Sequence, residues 1–440
     1  MVATDVPPPL DEADALAGID DEALPAVPTL LREPAELLDA ALAPAGGCIR
    51  TVTPRQTTWR PGRSLTVRYD ARVVWPSGDV TDEMLVARTG EIHPESLVLE
   101  ADAVRVAVWR VPHDPWLPGL AAVTDPARIG PLLDALDIHP GQVEVRIVSY
   151  RPGRRAVVRL RRAGVTVFAK VTRPGKAKDL HDGHAALSEA VPVPRSLGVD
   201  PDLGIVVLQG LGGTLLRHRL AVPGASLPGP EGILAVLDRL PAPPDGGRVA
   251  GWRSEEWASL LGRVRPDRAS DLQALARELT AVEAARTDPL VPVHGDLHEA
   301  QLMVQRGRIT GLLDIDTHGL GHRVDDLATL IGHLAVLATT TTRRATIERY
   351  AARLLDGFDR VVDPVLLRYA VAEVILGLAT GPFRVLEPRW PASTDTRIEL
   401  AGQWAASARR VAARRDAAAA DRHETTLTSV SGRPHLPDAE

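Results

Sequence analysis

Asparagine is absent from these 440 residues, and lysine occurs only three times, at Lys170, Lys176 and Lys178. Cysteine occurs once, at Cys48. A lone thiol excludes an intrachain disulfide framework and any zinc knuckle built from cysteines. No apolar run approaches the roughly 20 residues that cross a bilayer as a helix. The opening segment MVATDVPPPLDEADALAG is acidic and proline-rich and lacks the apolar core of a signal peptide. The expectation is a cytoplasmic protein without a membrane partner. A basic surface is missing too: the net charge of −6 is spread along the chain, so nucleic acid is not expected as a partner. Arginine clusters such as RRAVVRLRR (154–162) read as solvated strand edges.

Scarce lysine has a consequence. Of the 51 basic residues nearly all are arginine, the pattern of a GC-rich coding bias that replaces lysine wherever chemistry permits. A lysine that survives inside a strand is then a strong functional candidate. Its compact ammonium fits a tight phosphate site where the planar guanidinium fork does not.

Apolar residues make up 45% and charged residues 25%, a globular balance, and the length calls for more than one core. Residues 1–45 read as an acidic, proline-broken lead-in ending in a helix, EPAELLDAALA (33–43). Residues 46–138 read as an N-terminal β-rich cap that closes with a rigid PHDPWLPG loop (112–119) and the helix DPARIGPLLDALDI (125–138). Strands dominate 139–213, ending in GIVVLQ (204–209) and the hinge-like GLGG (210–213). Residues 214–415 are mostly helical, and 416–440 are polar and expected to be disordered.

One partial repeat stands out. WRPGRSLTVRY (59–69) matches YRPGRRAVVRL (150–160) at six of eleven positions. Each copy reads strand, Pro-Gly turn, strand, and a later strand in each ends in a base: EMLVAR at Arg88 and VTVFAK at Lys170. Ancestry and plain hairpin chemistry both account for such a match.

The densest chemistry lies at HGDLHEAQLMV (294–304). A hairpin follows, LMV (302–304) and RITGLLDID (308–316) flanking Arg306-Gly307, and its second strand is expected to deliver Asp314 and Asp316. Next comes a helix, GLGHRVDDLATLIGHLAVLA, for which Asp325 or Asp326 is the expected cap. The hairpin folds Gln301 and Asp314 to the same end, near the loop acid Asp296. Oxygen donors gathered in this way suit Mg²⁺. Phosphoryl transfer needs such parts: an acid to orient the acceptor hydroxyl, ligands for Mg²⁺, and a distant lysine for the phosphates.

HGDLHEAQ followed by GLLDID and DDLA resembles the aminoglycoside phosphotransferase and choline kinase superfamily, over about 139–415. The resemblance implies an α+β, bilobal protein-kinase-like fold, with a small antiparallel-sheet N-lobe and a helical C-lobe, here preceded by the β-rich cap. It implies ATP- or GTP-dependent, Mg²⁺-dependent phosphorylation of a hydroxyl on a small molecule. Carried over, Asp296 would be the catalytic base, and Gln301 and Asp314 would hold Mg²⁺. Lys170 would contact the nucleotide's phosphates, while Gln209, Gly210 and Leu211 would meet the base through backbone groups. His294 would support the loop, Asp326 would brace it, and Asp316 would stand beside the site. The acidic partner of Lys170 stays open among Asp179, Asp182 and Glu189. No Gly-x-Gly-x-x-Gly loop exists, so Arg151-Pro152-Gly153-Arg154 would cover the phosphates.

Gln301 departs from the family's usual asparagine. The variant loop is similar to that of the maltokinase and glucosamine kinase branch, which points to a sugar, aminosugar or aminoglycoside acceptor; a chain devoid of asparagine gives the same residue without that ancestry. Two other classes remain. A nucleotide-binding pseudoenzyme would fit Gln301 and the missing glycine loop. A metallohydrolase would use the H-x-D-x-H run of His294, Asp296 and His298 with His318 and His322, but leaves Lys170 unexplained.

Overall fold

The computed structural model describes residues 15–101, 104–138, 141–243 and 246–430. Two short helices, α1 (Val27–Arg32) and α2 (Ala35–Leu42), precede a five-stranded antiparallel sheet. Its strands are β1 (Cys48–Arg60), β2 (Ser64–Val74), β3 (Val80–Gly90), β4 (Leu97–Ala101) and β5 (Val104–Arg110), in the order β1-β2-β3-β5-β4. Alternation in β2 turns Leu65, Val67, Tyr69, Ala71 and Val73 to one face, all buried, against Leu30, Leu31 and Leu38 of the helices. The second half of the expected lead-in is therefore core. Its prolines start helices instead of breaking them, because a first-turn residue has no intrahelical N–H bond to lose.

A second unit follows: α3 (Gly119–Thr124) and α4 (Pro126–Ala135), then β6 (Glu144–Arg151), β7 (Arg155–Arg162), β8 (Val165–Thr172), α5 (Ala177–Leu187), β9 (Ser196–Asp200) and β10 (Ile205–Gln209). The strand order β6-β7-β8-β10-β9 reproduces that of the first sheet. So does the register. Thr66, third after its RPGR turn, pairs with Arg88; Val157, third after the other, pairs with Lys170. On the far side Ala107 faces Arg88 and Val206 faces Lys170. Hairpin chemistry explains two strands and a turn, not five strands in one order with a base at one register position. The copies differ in that only residues 91–96 separate β3 from β4, where α5 lies between β8 and β9.

The two units stack. Val86, Ala107 and Trp109, on the face of the first sheet that carries Arg88, share a core with Leu117, Leu120 and Leu133 around α3 and α4, and with Val158 and Ala169 of the second sheet. The Arg88 face is thus covered. The equivalent Lys170 face of the second sheet meets acids from the helical part of the chain.

That part begins with β11 (Thr214–Leu215), α6 (Leu216–Leu220), α7 (Pro230–Leu237), α8 (Ser254–Val264) and α9 (Ala269–Ala284). It continues through β12 (Leu290–Val293), β13 (Leu302–Gln305), β14 (Arg308–Leu312) and β15 (Gly319–His322). It ends with α10 (Arg323–Thr340), α11 (Arg344–Phe358), α12 (Pro364–Leu378), α13 (Gly381–Arg384) and α14 (Trp390–Val430). Antiparallel sheet followed by a helical bundle is the bilobal architecture expected from the resemblance. Trp59 of β1 meets Phe383 of α13 with ring centroids 6.3 Å apart, so the first sheet touches the helical lobe as well as the second sheet.

Two expectations need correction. The stretch Pro364–Arg384 is long and apolar enough to cross a bilayer by length and composition. It is broken into α12 and α13, and its apolarity comes from α12 lying between α10 and α14 with Leu367, Val371 and Ile375 buried. The tail expected to be disordered from 416 instead continues α14 to Val430, since VAARRDAAAA (411–420) is rich in the strongest helix formers; residues 431–440 lie outside the described residues.

Candidate active site

β12 runs into His294-Gly295-Asp296. Gly295 sits at φ +81°, and a Cβ there would lie 2.4 Å from the Thr317 carbonyl oxygen, so only glycine makes this turn. Asp326 accepts hydrogen bonds from the backbone N–H groups of His294 (2.7 Å) and Gly295 (2.8 Å). It is therefore not the expected helix cap. α10 starts behind His322 with no side-chain cap, and Asp325 instead accepts from Trp252 Nε1 (3.0 Å) and Arg286. Burial raises the Asp326 carboxyl above its ordinary value, opposed by His294 and the two N–H donors. His294 is fully buried; its Nε2–H donates to the Leu313 carbonyl (2.9 Å), and its own carbonyl accepts from Thr317 Oγ1 (3.0 Å). The loop is clamped from both sides, and Asp296 projects from it.

The hairpin turns at Arg306 (φ 51°) and Gly307 (φ 75°), both left-handed as a two-residue I′ turn requires. β14 stops at Leu312. Asp314 adopts φ 54°, and a 3₁₀ turn spans Ile315–Thr317. A turn, not a strand, therefore delivers Asp314 and Asp316. Lys170 Nζ donates to Asp314 Oδ1 (2.7 Å) and to Asp316 Oδ1 (2.5 Å). Arg155 reaches the same pair at 2.9 Å and 3.2 Å. Burial alone would raise Asp314; Lys170 and Arg155 outweigh it and hold the carboxyl at about 2. None of the α5-segment acids is bonded to Lys170, and Asp182 pairs with Lys178 instead (2.5 Å). Gln301 Nε2 lies 3.5 Å from Asp314 Oδ2 and 3.2 Å from His298 Nε2. Turning this amide over presents its oxygen to the same space.

Two cavities meet here. One, between the sheets' unit and the helical lobe, is lined by Arg151, Arg154, Arg155, Arg173, Asp314 and Asp296. The other lies within the helical lobe, with Trp252, Trp257, Glu283, Arg286, Glu373 and again Asp296. Asp296 is the one residue lining both among the described residues. Its side chain is 43% exposed. Partial burial, then the neighbouring Asp314 carboxylate, push its pKa up to about 6. Gln209, Gly210 and Leu211, at the end of β10, line a separate hollow with Val165–Phe168.

The model of the phosphotransferase enzyme family matches residues 144–363, half of the chain. The chain belongs to this family. It is a small-molecule phosphotransferase, and the matched span starts at β6, leaving the first sheet outside. Among solved structures the phosphotransferase is similar to a putative aminoglycoside phosphotransferase from Ralstonia eutropha JMP134 (14% identity, 65% of this chain and 98% of that one, TM-score 0.42). It is similar to a thermostable mutant aminoglycoside phosphotransferase in ternary complex with ADP and hygromycin B (15%, 62% and 97%, TM-score 0.44). A third is an aminoglycoside phosphotransferase from Streptomyces rimosus (21%, 52% and 90%, TM-score 0.34). No curated protein matches the chain.

Sequence reasoning missed Arg155. It lies in the RRAVVRLRR run read as solvated edge, yet it bridges two site acids; Arg162 of the same run is buried and donates to the carbonyls of Gly141 and Gly130. The signal lay in its place, directly after the RPGR turn. The histidines also sort differently. His318 donates to the Pro241 carbonyl (3.0 Å) and His322 lies 3.0 Å from Asp288, so each is engaged with another partner than Asp296. It is His333 of α10 that joins His298 and Asp296, with possible ligand atoms within 4.8 Å of one another. The two rings stack at 4.3 Å and 6°. Stacked parallel rings keep their nitrogen lone pairs in separate planes, so the pairs do not converge on one tetrahedral ion.

Proposed function

We propose that this phosphotransferase moves the terminal phosphoryl group of ATP or GTP, with Mg²⁺, onto a hydroxyl of a sugar, aminosugar or aminoglycoside. The observation that carries this reading is Asp296 at the junction of the two cavities. In the basic cavity Arg151 and Arg154 would hold phosphates, with Lys170 reaching them from behind Asp314 and Asp316, and Gln209, Gly210 and Leu211 would meet the nucleobase. In the other, Trp252 and Trp257 offer aromatic surface, and Glu283, whose Oε1 already accepts from the Trp252 N–H, offers its second oxygen to a hydroxyl or amino group. The acceptor hydroxyl would lie against Asp296, which takes its proton as the oxygen bonds to phosphorus and the bond to the nucleoside diphosphate breaks.

The donors present fit Mg²⁺. Asp314 is held ionised, and the Gln301 amide reaches the same point; bound there, the ion neutralises charge on the phosphates. Asp316 would take over Lys170 and Arg155 whenever Asp314 turns to the ion. His294 and Asp326 would keep Asp296 in place. The direct test is nucleoside diphosphate release from ATP and GTP with Mg²⁺ across sugars, aminosugars, aminoglycosides and amino alcohols. Acceptor-dependent release is expected with a sugar or aminosugar. No release with any of them, from protein shown to bind nucleotide, would remove the reading.

A further inference from the structure

We propose that Asp114 is a positioning residue for the phosphate-covering turn, and that through it the first sheet governs how firmly a triphosphate is held. This rests on reading Arg151–Arg154 as that cover.

Asp114 belongs to the loop between the two units and is 2% exposed. Its Oδ2 accepts from the Gly153 N–H (2.7 Å) and from the Tyr150 hydroxyl (2.8 Å); its Oδ1 accepts from the Trp116 N–H (2.9 Å). The Tyr150 hydroxyl in turn accepts from Trp109 Nε1 of β5 (3.0 Å). A continuous chain of bonds thus runs from the first sheet to the middle of the RPGR turn. The following peptide is held too, since Arg173 Nε donates to the Gly153 carbonyl (2.8 Å). The Trp116 ring fills the space beneath. A Cβ on Gly153, which sits at φ +65°, would lie 3.4 Å from it. The same ring carries the guanidinium carbons of Arg88 at 5.0 Å and Arg173 at 5.9 Å. A glycine-rich loop holds phosphates with free backbone N–H groups. Here the Gly153 N–H is committed to Asp114, which leaves the arginine side chains of the turn to face the cleft.

The first unit supplies an internal control. Asp21, 6% exposed, accepts from the Gly62 N–H (2.7 Å) and Trp59 Nε1 (3.1 Å) in its own RPGR turn. The motif is the same, D-x-x-L-P ahead of two helices and then aromatic-R-P-G-R. Yet Arg88, the register equivalent of Lys170, lies under Trp116 and bonds Thr66 and Glu91. That face is covered by Trp116 and the core shared with the second sheet, so the Asp21 pin is assigned to the fold alone.

The experiment compares Asp114→Ala with Asp21→Ala in the full chain, titrating Mg-ATP and adenosine by calorimetry. Asp114→Ala should weaken ATP about tenfold, the order of one charge-assisted hydrogen bond, while adenosine affinity holds. Asp21→Ala should lower the melting temperature and leave both affinities unchanged. If Asp114→Ala does not fold, Asp114→Asn, which keeps one acceptor oxygen, should weaken ATP about threefold by the same reasoning. An unchanged ratio of ATP to adenosine affinity in the Asp114 variant that folds, or an equal fall in Asp21→Ala, overturns the proposal. A wild-type chain that binds neither ligand overturns instead the nucleotide reading beneath it.

Discussion

Lys170 Nζ and Asp314 Oδ1 lie 2.7 Å apart, with side chains 4% and 19% exposed, and their ion pair joins the second sheet to the helical lobe. A lysine here is a point charge in a space that Arg155 already shares. Lys170→Arg should lower ATP affinity about tenfold, because a second planar fork cannot enter without displacing the first. Wild-type affinity in that variant would show that the lysine's shape is irrelevant.

Asp296→Ala should leave nucleotide binding intact and lower kcat by about 10²–10⁴-fold, the usual contribution of a positioned base. Calorimetry and diphosphate release on the same preparation separate the two quantities. Loss of both together would mean that Asp296 builds the cleft instead of serving the reaction.

The pKa of about 6 at Asp296 fixes a pH dependence. A base works when deprotonated, so kcat/KM should be level above pH 7 and fall about tenfold per pH unit well below 6. Asp314, held at about 2, stays ionised throughout that range and adds no inflection. A flat profile from pH 5 to pH 8 would remove Asp296 as the base.

Gln301 carries the test of Mg²⁺. Gln301→Ala should raise the Mg²⁺ concentration for half-maximal rate about tenfold, an order set by one lost oxygen ligand. Gln301→Asn keeps the amide on a shorter stem and should be milder. An equal Mg²⁺ requirement in all three proteins would place the ion elsewhere.

His298 and His333 fix the acid limit of stability. Burial, then neighbouring positive charge, lowers His298 to about 4 and His333 to about 3, from an ordinary value of 6.5. Both are neutral in the fold, while the unfolded chain takes up protons below pH 6.5. Stability should therefore fall as pH drops from 6.5 toward 4, by at most about 1.4 kcal/mol per pH unit for each ring. His333→Gln should make that fall shallower in denaturant titrations; an unaltered slope would contradict it.

Much of this was legible in the sequence because it is local. The GDLHEAQ loop, the Arg306-Gly307 turn and the strand around Lys170 announce themselves through spacing and turn chemistry, and together they placed Asp296, Gln301 and Asp314 near one another. A matching RPGR turn was also visible, but a repeat of six residues in eleven cannot reveal that five strands share one order.

The sequence by itself determined the chemistry: which acids, which amide and which lysine, since their identities and order admit few alternatives. Tertiary structure decided the pairings, because these depend on contacts between residues from about thirty to more than a hundred and fifty positions apart. Lys170 answers to Asp314 and Asp316, 144 and 146 positions away, and not to the nearby acids around α5. Arg155 reaches the same acids across 159 and 161 positions. Asp326 braces a loop instead of capping its own helix. Asp114 pins a turn that belongs to the next unit. A buried charge must be satisfied by whatever the fold brings beside it, and no local pattern encodes that neighbour.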